Sequence, residues 1–216
     1  TSSAASDVYK RQTLDWAIKS VLLFGLPATA ALVILSDELI ATLFFHGVME
    51  SRDVLMAGAS LAAYGAGLAG HMLVKVLAPG YFSRQDMISP VRFGIIAMVA
   101  NMGLNLVLIW HFKHVGLAIA TTISAFLNAA LLYAGLSRLR LINFYNKDNV
   151  LFLSRLIVAT FIMTSLIYYF NPSIDWWLQI DSVARVVRML SICLLGAFSY
   201  FLVLALSGLN LKSLLR

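Results

Sequence analysis

The chain has 216 residues, of which 61% are hydrophobic and 12% are charged, with a formal net charge of +6. A soluble domain carries about 25% charged residues, so this composition excludes an ordinary water-soluble fold. The basic residues are scattered between hydrophobic runs, which argues against a nucleic-acid-binding protein. The one cysteine, Cys193, lies inside an apolar run, so neither a disulfide framework nor a Cys/His metal site is expected.

The first twelve residues, TSSAASDVYKRQ, are polar and unlike everything that follows. They lack the apolar region that a secretory signal peptide needs. We therefore interpret residues 1–12 as a non-native tail derived from a sequencing adaptor.

The rest of the chain contains six apolar runs, each long enough to cross a bilayer as a helix of about 20 residues. They are residues 16–36, 54–78, 91–110, 115–136, 150–170 and 186–206. The first is followed by a short amphipathic stretch, residues 37–47. Apolar runs without polar alternation are not the pattern of a membrane β-barrel. The sequence therefore predicts an all-α, polytopic membrane bundle with six spans.

The positions of Lys and Arg at the ends of the runs predict the orientation, because cytoplasmic ends are richer in these residues. One side has nine and the other four, which places both ends of the chain in the cytoplasm. The nine are Lys19, Arg84, Arg92, Arg138, Arg140, Lys147, Arg155, Lys212 and Arg216, and the four are Arg52, Lys113, Arg185 and Arg188.

The most polar interior segment, residues 138–149, is predicted to be a cytoplasmic loop. It separates a four-helix part, residues 13–137, from a terminal helix pair, residues 150–216.

Small residues recur at every fourth position of the second run, at Gly58, Ala62, Ala66 and Gly70. Such a stripe lets a neighbouring helix approach closely, so it predicts a helix-packing surface.

Three residues are hinge candidates because they disturb helical geometry. Pro27 interrupts the first run and favours a bend there. Pro79 and Gly80 are predicted to end the second helix and to present the following loop, with Arg84, at the cytoplasmic mouth.

Four basic residues near or within the runs are candidates for binding a substrate head group or forming a gate: Lys75, Arg84, Arg155 and Arg188. A cation within the hydrocarbon layer is costly and points to function, and the guanidinium fork of arginine suits phosphate. The alternative is that these long side chains extend to the interface and only anchor the helices. His71, one turn before Lys75, either lines the same polar cavity or packs between helices.

Polar side chains in the third and fourth runs form a second candidate site. Asn101 and Asn105 are four residues apart on one helical face, and Thr121 lies in the next run. Their oxygens could hold a cation between helices, or these groups could simply form hydrogen bonds between helices.

Motifs of hydrolytic enzymes and nucleotide-binding sites do not occur in the sequence. It has no H-E-x-x-H, nucleophile elbow, P-loop or pair of intramembrane carboxylates. We therefore predict no catalytic residue, no bound metal and no organic cofactor, and transport work would draw on a gradient or the membrane potential.

The segment LVKVLAPGYFSRQD, residues 73–86, followed by Pro90 and Val91, resembles a signature of the MurJ/MviN family of lipid II flippases. The segments GLPATAALVILSDELIATLFFHG, residues 25–47, and FKHVGL, residues 112–117, resemble the same family. The resemblance covers Leu14 to Arg216.

The resemblance implies that the six spans correspond to helices nine to fourteen of a fourteen-helix transporter, the C-lobe of a MATE-like fold. The substrate would be lipid II, and the other partners would be membrane lipids and an N-terminal lobe that supplies arginines for the pyrophosphate. The terminal helix pair would form a groove for the lipid tail, with Arg155 placed to reach the head group. The location would be the bacterial inner membrane.

The resemblance also implies a sodium site, which would map to Asn101, Asn105 and Thr121. One expected carboxylate is an amide here, which removes the charge that would best hold the ion and argues against sodium coupling.

Two other functions fit the same sequence. One is export of polysaccharide units or drugs by the same superfold, since a fold does not decide the substrate. The other is a membrane scaffold without transport, in which Lys75 and the asparagines only hold helices together. We also expect the chain to be inactive without the N-terminal lobe.

Overall fold

The computed structural model describes residues 2–139, 141–142 and 146–208, and within these ranges it contains helices and no strands. The prediction of an all-α bundle is confirmed. Arg140, Lys212 and Arg216, which contribute to the predicted orientation, lie outside the described residues. The helices are α1 Ser2–Ile34, α2 Ser36–Phe44, α3 Ser51–Ala66, α4 Leu68–Phe82, α5 Ile88–Arg138, α6 Lys147–Phe170, α7 Ile174–Gln179 and α8 Ser182–Leu206.

Five helical segments in the described part of the chain are long and apolar enough to cross a membrane. One of them, α5, has 51 residues, about twice what a crossing needs. At Lys113 its backbone leaves the helical region, with φ 51° and ψ −129°. Asn101 lies before Lys113 in the chain and Ser124 lies after it, yet the Nδ2 of Asn101 is 3.2 Å from the Oγ of Ser124. The helix therefore folds back on itself at Lys113. Counting its two arms, residues 88–112 and 114–138, gives the six predicted spans.

The second span is divided into α3 and α4 at Gly67. The Gly67 amide donates to Tyr64 instead of Ala63, and the Thr122 hydroxyl from the second arm of α5 donates to the Ala63 carbonyl at 2.5 Å. A Cβ on Gly67 would stand 2.7 Å from the Thr122 Oγ1. The break is therefore caused by a side chain that enters the helical hydrogen-bond ladder.

The predicted end of this span at Pro79 and Gly80 is wrong, because α4 continues to Phe82. A proline in the last turn of a helix removes one backbone donor without preventing the turn from closing. Beyond α4, the Asp86 carboxylate accepts hydrogen bonds from the amides of Ile88 and Ser89 at 3.2 and 3.0 Å, which satisfies the first turn of α5.

The central helix is α1, which contributes to both hydrophobic cores. One core joins α1 to α4, the second arm of α5 and the buried residues Leu141 and Ile142. The other joins the far half of α1 to α6, α7 and α8. The terminal helix pair is thus packed on α1, and the division of the chain at residues 138–149 stays a prediction.

The polar residues at the start of the chain continue the first helix, since α1 begins at Ser2. Their assignment as a non-native tail stays a prediction. Helix α1 also passes through Pro27 without interruption.

Candidate functional site

Lys75 lies within the second span, and its side chain is exposed into a cavity of about 410 Å³ between α4 and the two arms of α5. The cavity brings Lys75 together with Asn101 and Thr121, which are distant in sequence. Its polar lining residues are His71, Lys75, Asn101, Thr121, Ser124 and Asn128. The Nδ1 of His71 lies 2.8 Å from the Gly67 carbonyl oxygen, which holds the ring at the cavity wall.

Lys75 also lines a second cavity, of about 360 Å³, on the α1 side of α4. This cavity is mostly apolar and is bounded by Thr13 and Ala17 of α1 and by Pro79 and Gly80 of α4. Lys75 is the residue that the two cavities share, so its ammonium group is within reach of both.

The candidate cation site is a chain of hydrogen bonds between side chains. The Nδ2 of Asn105 donates to the Oδ1 of Asn101 at 3.0 Å, and the Nδ2 of Asn101 faces the Oγ1 of Thr121 at 3.5 Å and the Oγ of Ser124 at 3.2 Å. The two hydroxyls donate to helix carbonyls, Thr121 to Leu117 and Ser124 to Thr121, each at 2.9 Å.

These residues do not fit a sodium ion in this arrangement. A hard cation needs several oxygen ligands that converge on one point, preferably with a carboxylate. Here the amide nitrogen of Asn101 points at the hydroxyl oxygens of Thr121 and Ser124, which places a donor where a cation would need oxygen ligands. The described residues also contain no group of three or more His, Cys, Asp or Glu side chains that could hold a metal ion.

The arginine candidates are not gathered around Lys75. Arg84 is exposed in the turn between α4 and α5, and Arg155 is partly buried two turns into α6, toward the same end of the bundle. Arg188 lies at the opposite end, where its Nη2 donates to the Phe170 carbonyl at 2.9 Å and its guanidinium carbon stands 5.9 Å from the centre of the Trp176 ring.

Arg185, which the sequence assigned only to topology, is a buried cross-link at the Arg188 end. Its guanidinium donates to the carbonyls of Trp177 and Phe45 at 2.8 Å, and to those of Leu178 and Ala41 at 3.3 and 3.4 Å. It also stands 4.9 Å from the centre of the Phe45 ring. One side chain of α8 therefore joins α2 and α7.

Glu38 in α2 is a second residue that the sequence analysis missed. It is 7% exposed, and its Oε1 accepts a hydrogen bond from the Nδ2 of Asn171 at 2.5 Å. Burial, the largest cause, raises the pKa of the Glu38 carboxyl, and the Asn171 hydrogen bond opposes that rise. An acidic residue directly after an apolar run was the only signal for it in the sequence.

A mostly apolar groove of about 240 Å³ lies between α1, α6 and α8. Pro27 lies in its wall, and the Tyr200 hydroxyl donates to the Leu23 carbonyl of α1 at 2.7 Å. The lining residues are Phe24, Pro27, Ala28, Ala31, Leu35, Met163, Ile167, Cys193, Gly196, Ala197, Tyr200 and Phe201.

The stripe of small residues on the second span, from Gly58 to Gly70, packs against two different helices, because the break at Gly67 lies within it. A Cβ on Gly58 would lie 2.9 Å from the Cα of Asp37 in α2, and one on Gly70 would lie 3.3 Å from the backbone nitrogen of Phe126 in α5. Ala62 and Ala66, between them, are partly buried.

Comparison with known proteins gives consistent matches to one family. The family model described as lipid II flippase MurJ matches residues 2–188. A probable lipid II flippase MurJ from Vibrio cholerae serotype O1 is 43% identical over 202 residues, which make up 94% of this chain and 38% of that protein. The corresponding protein from Haemophilus influenzae is 41% identical over 213 residues, 99% of this chain and 41% of that protein.

The fold also matches a solved structure, that of a lipid II flippase MurJ in an inward closed conformation. The TM-score is 0.71 at 20% identity, and the match covers 98% of this chain and 43% of the other. The chain spans about two fifths of the length of the relatives that it matches. Because the family model covers most of the chain and the sequence relatives cover nearly all of it, this chain belongs to the MurJ family of lipid II flippases.

Proposed function

We propose that this chain forms the C-terminal lobe of a lipid II flippase in the bacterial inner membrane. The whole protein would move the undecaprenyl-pyrophosphate-linked peptidoglycan precursor from the cytoplasmic to the periplasmic leaflet by alternating access. Membership of the family and the names of the relatives support this substrate. No covalent chemistry is involved, so the proposed activity is transport and not catalysis of a reaction.

Lys75 is the observation that carries the proposal. It is a cation inside a membrane span, at the junction of two cavities, and none of the residues that the structure describes forms a salt bridge with it. An ionisable side chain within a membrane span is costly and points to a functional role, so Lys75 is the residue that we expect to meet an anionic group of the substrate. The pyrophosphate of the substrate supplies the opposite charge.

The groove between α1, α6 and α8 would hold the polyprenyl tail. Its apolar lining matches a hydrocarbon chain. The terminal pair, residues 150–216, would thus guide the tail while the four-helix part, residues 13–137, carries Lys75. The loop at residues 138–149 would join the two.

The remaining candidates would act at the two ends of the bundle. Arg84 and Arg155 lie toward one end, which we assign to the cytoplasm, where they would meet the phosphate groups as the substrate enters. Arg188 lies at the other end and would act at the outer gate. Opening and closing would come from rocking of this lobe against the N-terminal lobe, as in other transporters built from two repeats.

Two alternatives remain separable by experiment. An exporter of polysaccharide units or drugs would share this fold but would not replace a lipid II flippase in a cell. A non-transporting scaffold would not replace the flippase either, and it would not need the charge of Lys75.

Complementation in a bacterium depleted of its own lipid II flippase tests the proposal. The full-length parent protein is expressed as wild type, as Lys75→Met and as Lys75→Arg, and membrane insertion of each is checked by immunoblotting. We expect rescue by the wild type, loss of rescue by Lys75→Met and retained rescue by Lys75→Arg. A well-inserted wild type that fails would overturn the proposal in favour of the exporter or the scaffold, and equal rescue by Lys75→Met would show that transport does not need the charge of Lys75.

A further inference from the structure

The short helices α2 and α7 meet at a buried carboxyl group. The Oε1 of Glu38 accepts from the Nδ2 of Asn171 at 2.5 Å, and the Oδ1 of Asn171 accepts from the Nε1 of Trp177 at 3.0 Å. Glu38 is 7% exposed and Trp177 is fully buried. The second carboxyl oxygen of Glu38, Oε2, is buried and has no hydrogen-bond partner. Among the described residues, the one side chain that donates to this acid is the neutral amide of Asn171.

The charged groups around α2 do not neutralise Glu38. The last four turns of α1 carry no charged residue, and Arg185, the buried cation of α8, donates to the carbonyls of Ala41, Phe45, Trp177 and Leu178. Asp37, next to Glu38, carries the same charge as a Glu38 carboxylate. On α3, α7 and α8, which also pack against α2, the other charged residues are Arg52 and Asp53 of α3, Asp175 of α7 and Arg188 of α8.

A buried carboxylate without a cation is costly, and binding a proton removes that cost. We propose that the Glu38 carboxyl is a proton-binding site: it holds a proton while α2 and α7 are packed together, and release of this proton to solvent loosens the Glu38–Asn171–Trp177 contact. The proposal concerns the packing of the bundle and does not depend on which substrate the protein moves.

The direction of the pH effect follows from linkage. Burial raises the pKa of Glu38 above its ordinary value of 4.5, and the neighbouring Asp37 raises it further. Because the packed state binds the proton more tightly than the opened state, the stability of the α2–α7 contact is fully present below pH 4.5. It is lost as the pH rises through the pKa of the packed state.

Hydrogen exchange of the full-length parent protein in lipid nanodiscs, between pH 4.5 and 8, tests the proposal. After correction for the intrinsic effect of pH, protection of peptides from α2 and α7 should fall as the pH rises, by up to about tenfold for each unit by which the packed-state pKa exceeds the ordinary value. Peptides from α4 serve as the internal reference and should not change.

Two variants separate Glu38 from its neighbour. Glu38→Gln is neutral at every pH, so its α2 and α7 peptides should lose most of the pH dependence. Burial also raises the pKa of Asp37, which accounts for any remainder. Asp37→Asn removes the adjacent charge and should keep the dependence, with its midpoint at lower pH.

Constant protection of wild-type α2 and α7 across this range would overturn the proposal, whether or not the variants fold. An unchanged pH dependence in Glu38→Gln would also overturn it, because another group would then be titrating.

Discussion

The hydroxyl of Tyr200 in α8 donates to the carbonyl oxygen of Leu23 in α1 at 2.7 Å, and Leu23 precedes Pro27 by four residues. In a regular helix the amide of residue 27 would donate to this carbonyl, but proline has no N–H. Tyr200, which is 2% exposed, supplies the missing donor. Helix α8 thus stabilises the helix that the proline would otherwise weaken.

Tyr200→Phe should destabilise the bundle. The substitution leaves the buried Leu23 carbonyl without a donor, and hydrogen bonds between membrane helices contribute about 0.6–1.7 kcal/mol to stability. We expect a loss of about 1 kcal/mol in the free energy of unfolding of the full-length protein, measured by steric trapping in bicelles. Tyr168→Phe, at a tyrosine that is 77% exposed, is the matched control and should cost much less.

Pro27→Ala should reduce the effect of Tyr200→Phe. An alanine restores the backbone N–H at residue 27, so the Leu23 carbonyl regains its helical partner. In a double-mutant cycle the loss caused by Tyr200→Phe should therefore be smaller in the Pro27→Ala background. Additive effects would show that Tyr200 does not substitute for the missing amide.

Arg185→Lys should weaken the junction of α2, α7 and α8, although the substitution keeps the positive charge. An ammonium group cannot reproduce the planar fork that donates to four carbonyls. Hydrogen bonds to charged groups contribute about 1.5–3 kcal/mol each, so a loss of about 2–4 kcal/mol is expected in the same unfolding measurement. Arg188→Lys removes one such contact and should cost less; equal losses would show that the fork at Arg185 is not the stabilising feature.

Gly58→Ala should lower the stability of the bundle, whereas Gly103→Ala should not. A Cβ at Gly58 would lie 2.9 Å from the Cα of Asp37, while a Cβ at Gly103 would have no neighbour within 4 Å. Overpacking costs about 1–3 kcal/mol, and replacing an open helical glycine with alanine gains up to about 1 kcal/mol. Similar melting temperatures for the two variants would contradict the close contact between α2 and α3.

Transport should not require sodium. At the candidate cation site, the amide nitrogen of Asn101 points at the hydroxyl oxygens of Thr121 and Ser124. Asn105, which donates to Asn101, carries no negative charge that could hold the ion. Replacing Na⁺ by K⁺ in a transport assay should leave the wild-type rate unchanged. Asn105→Asp places a carboxylate at the buried oxygen of Asn105 and should make the rate depend on Na⁺. A wild-type rate that falls in K⁺ would contradict this account of the site.

The sequence predicted the helical class and the spans, because hydrophobic length is a local signal. It did not predict that Lys75 and Asn101 line one cavity, because that depends on how α4 packs against α5. It predicted the end of α4 incorrectly, since one proline in a last turn costs only one hydrogen bond. The break at Gly67 could not be found, because it depends on Thr122, a residue 55 positions away in the chain.

The contacts of Glu38, Arg185 and Tyr200 also could not be predicted from the sequence. Each depends on a partner more than 130 residues away: Asn171 for Glu38, Phe45 for Arg185 and Leu23 for Tyr200. The periodicity of a single helix shows that a residue is buried but does not identify the carbonyl or amide that it will meet.

The measurement that tests the central claim most directly is lipid II translocation by the purified full-length parent protein in proteoliposomes, comparing wild type with Lys75→Met and Lys75→Arg. If the Lys75 ammonium group binds the pyrophosphate, Lys75→Met should lower the translocation rate by at least about tenfold, equivalent to about 1.4 kcal/mol, and Lys75→Arg should retain most of it. A Lys75→Met protein that is correctly inserted and translocates lipid II at the wild-type rate would contradict the account.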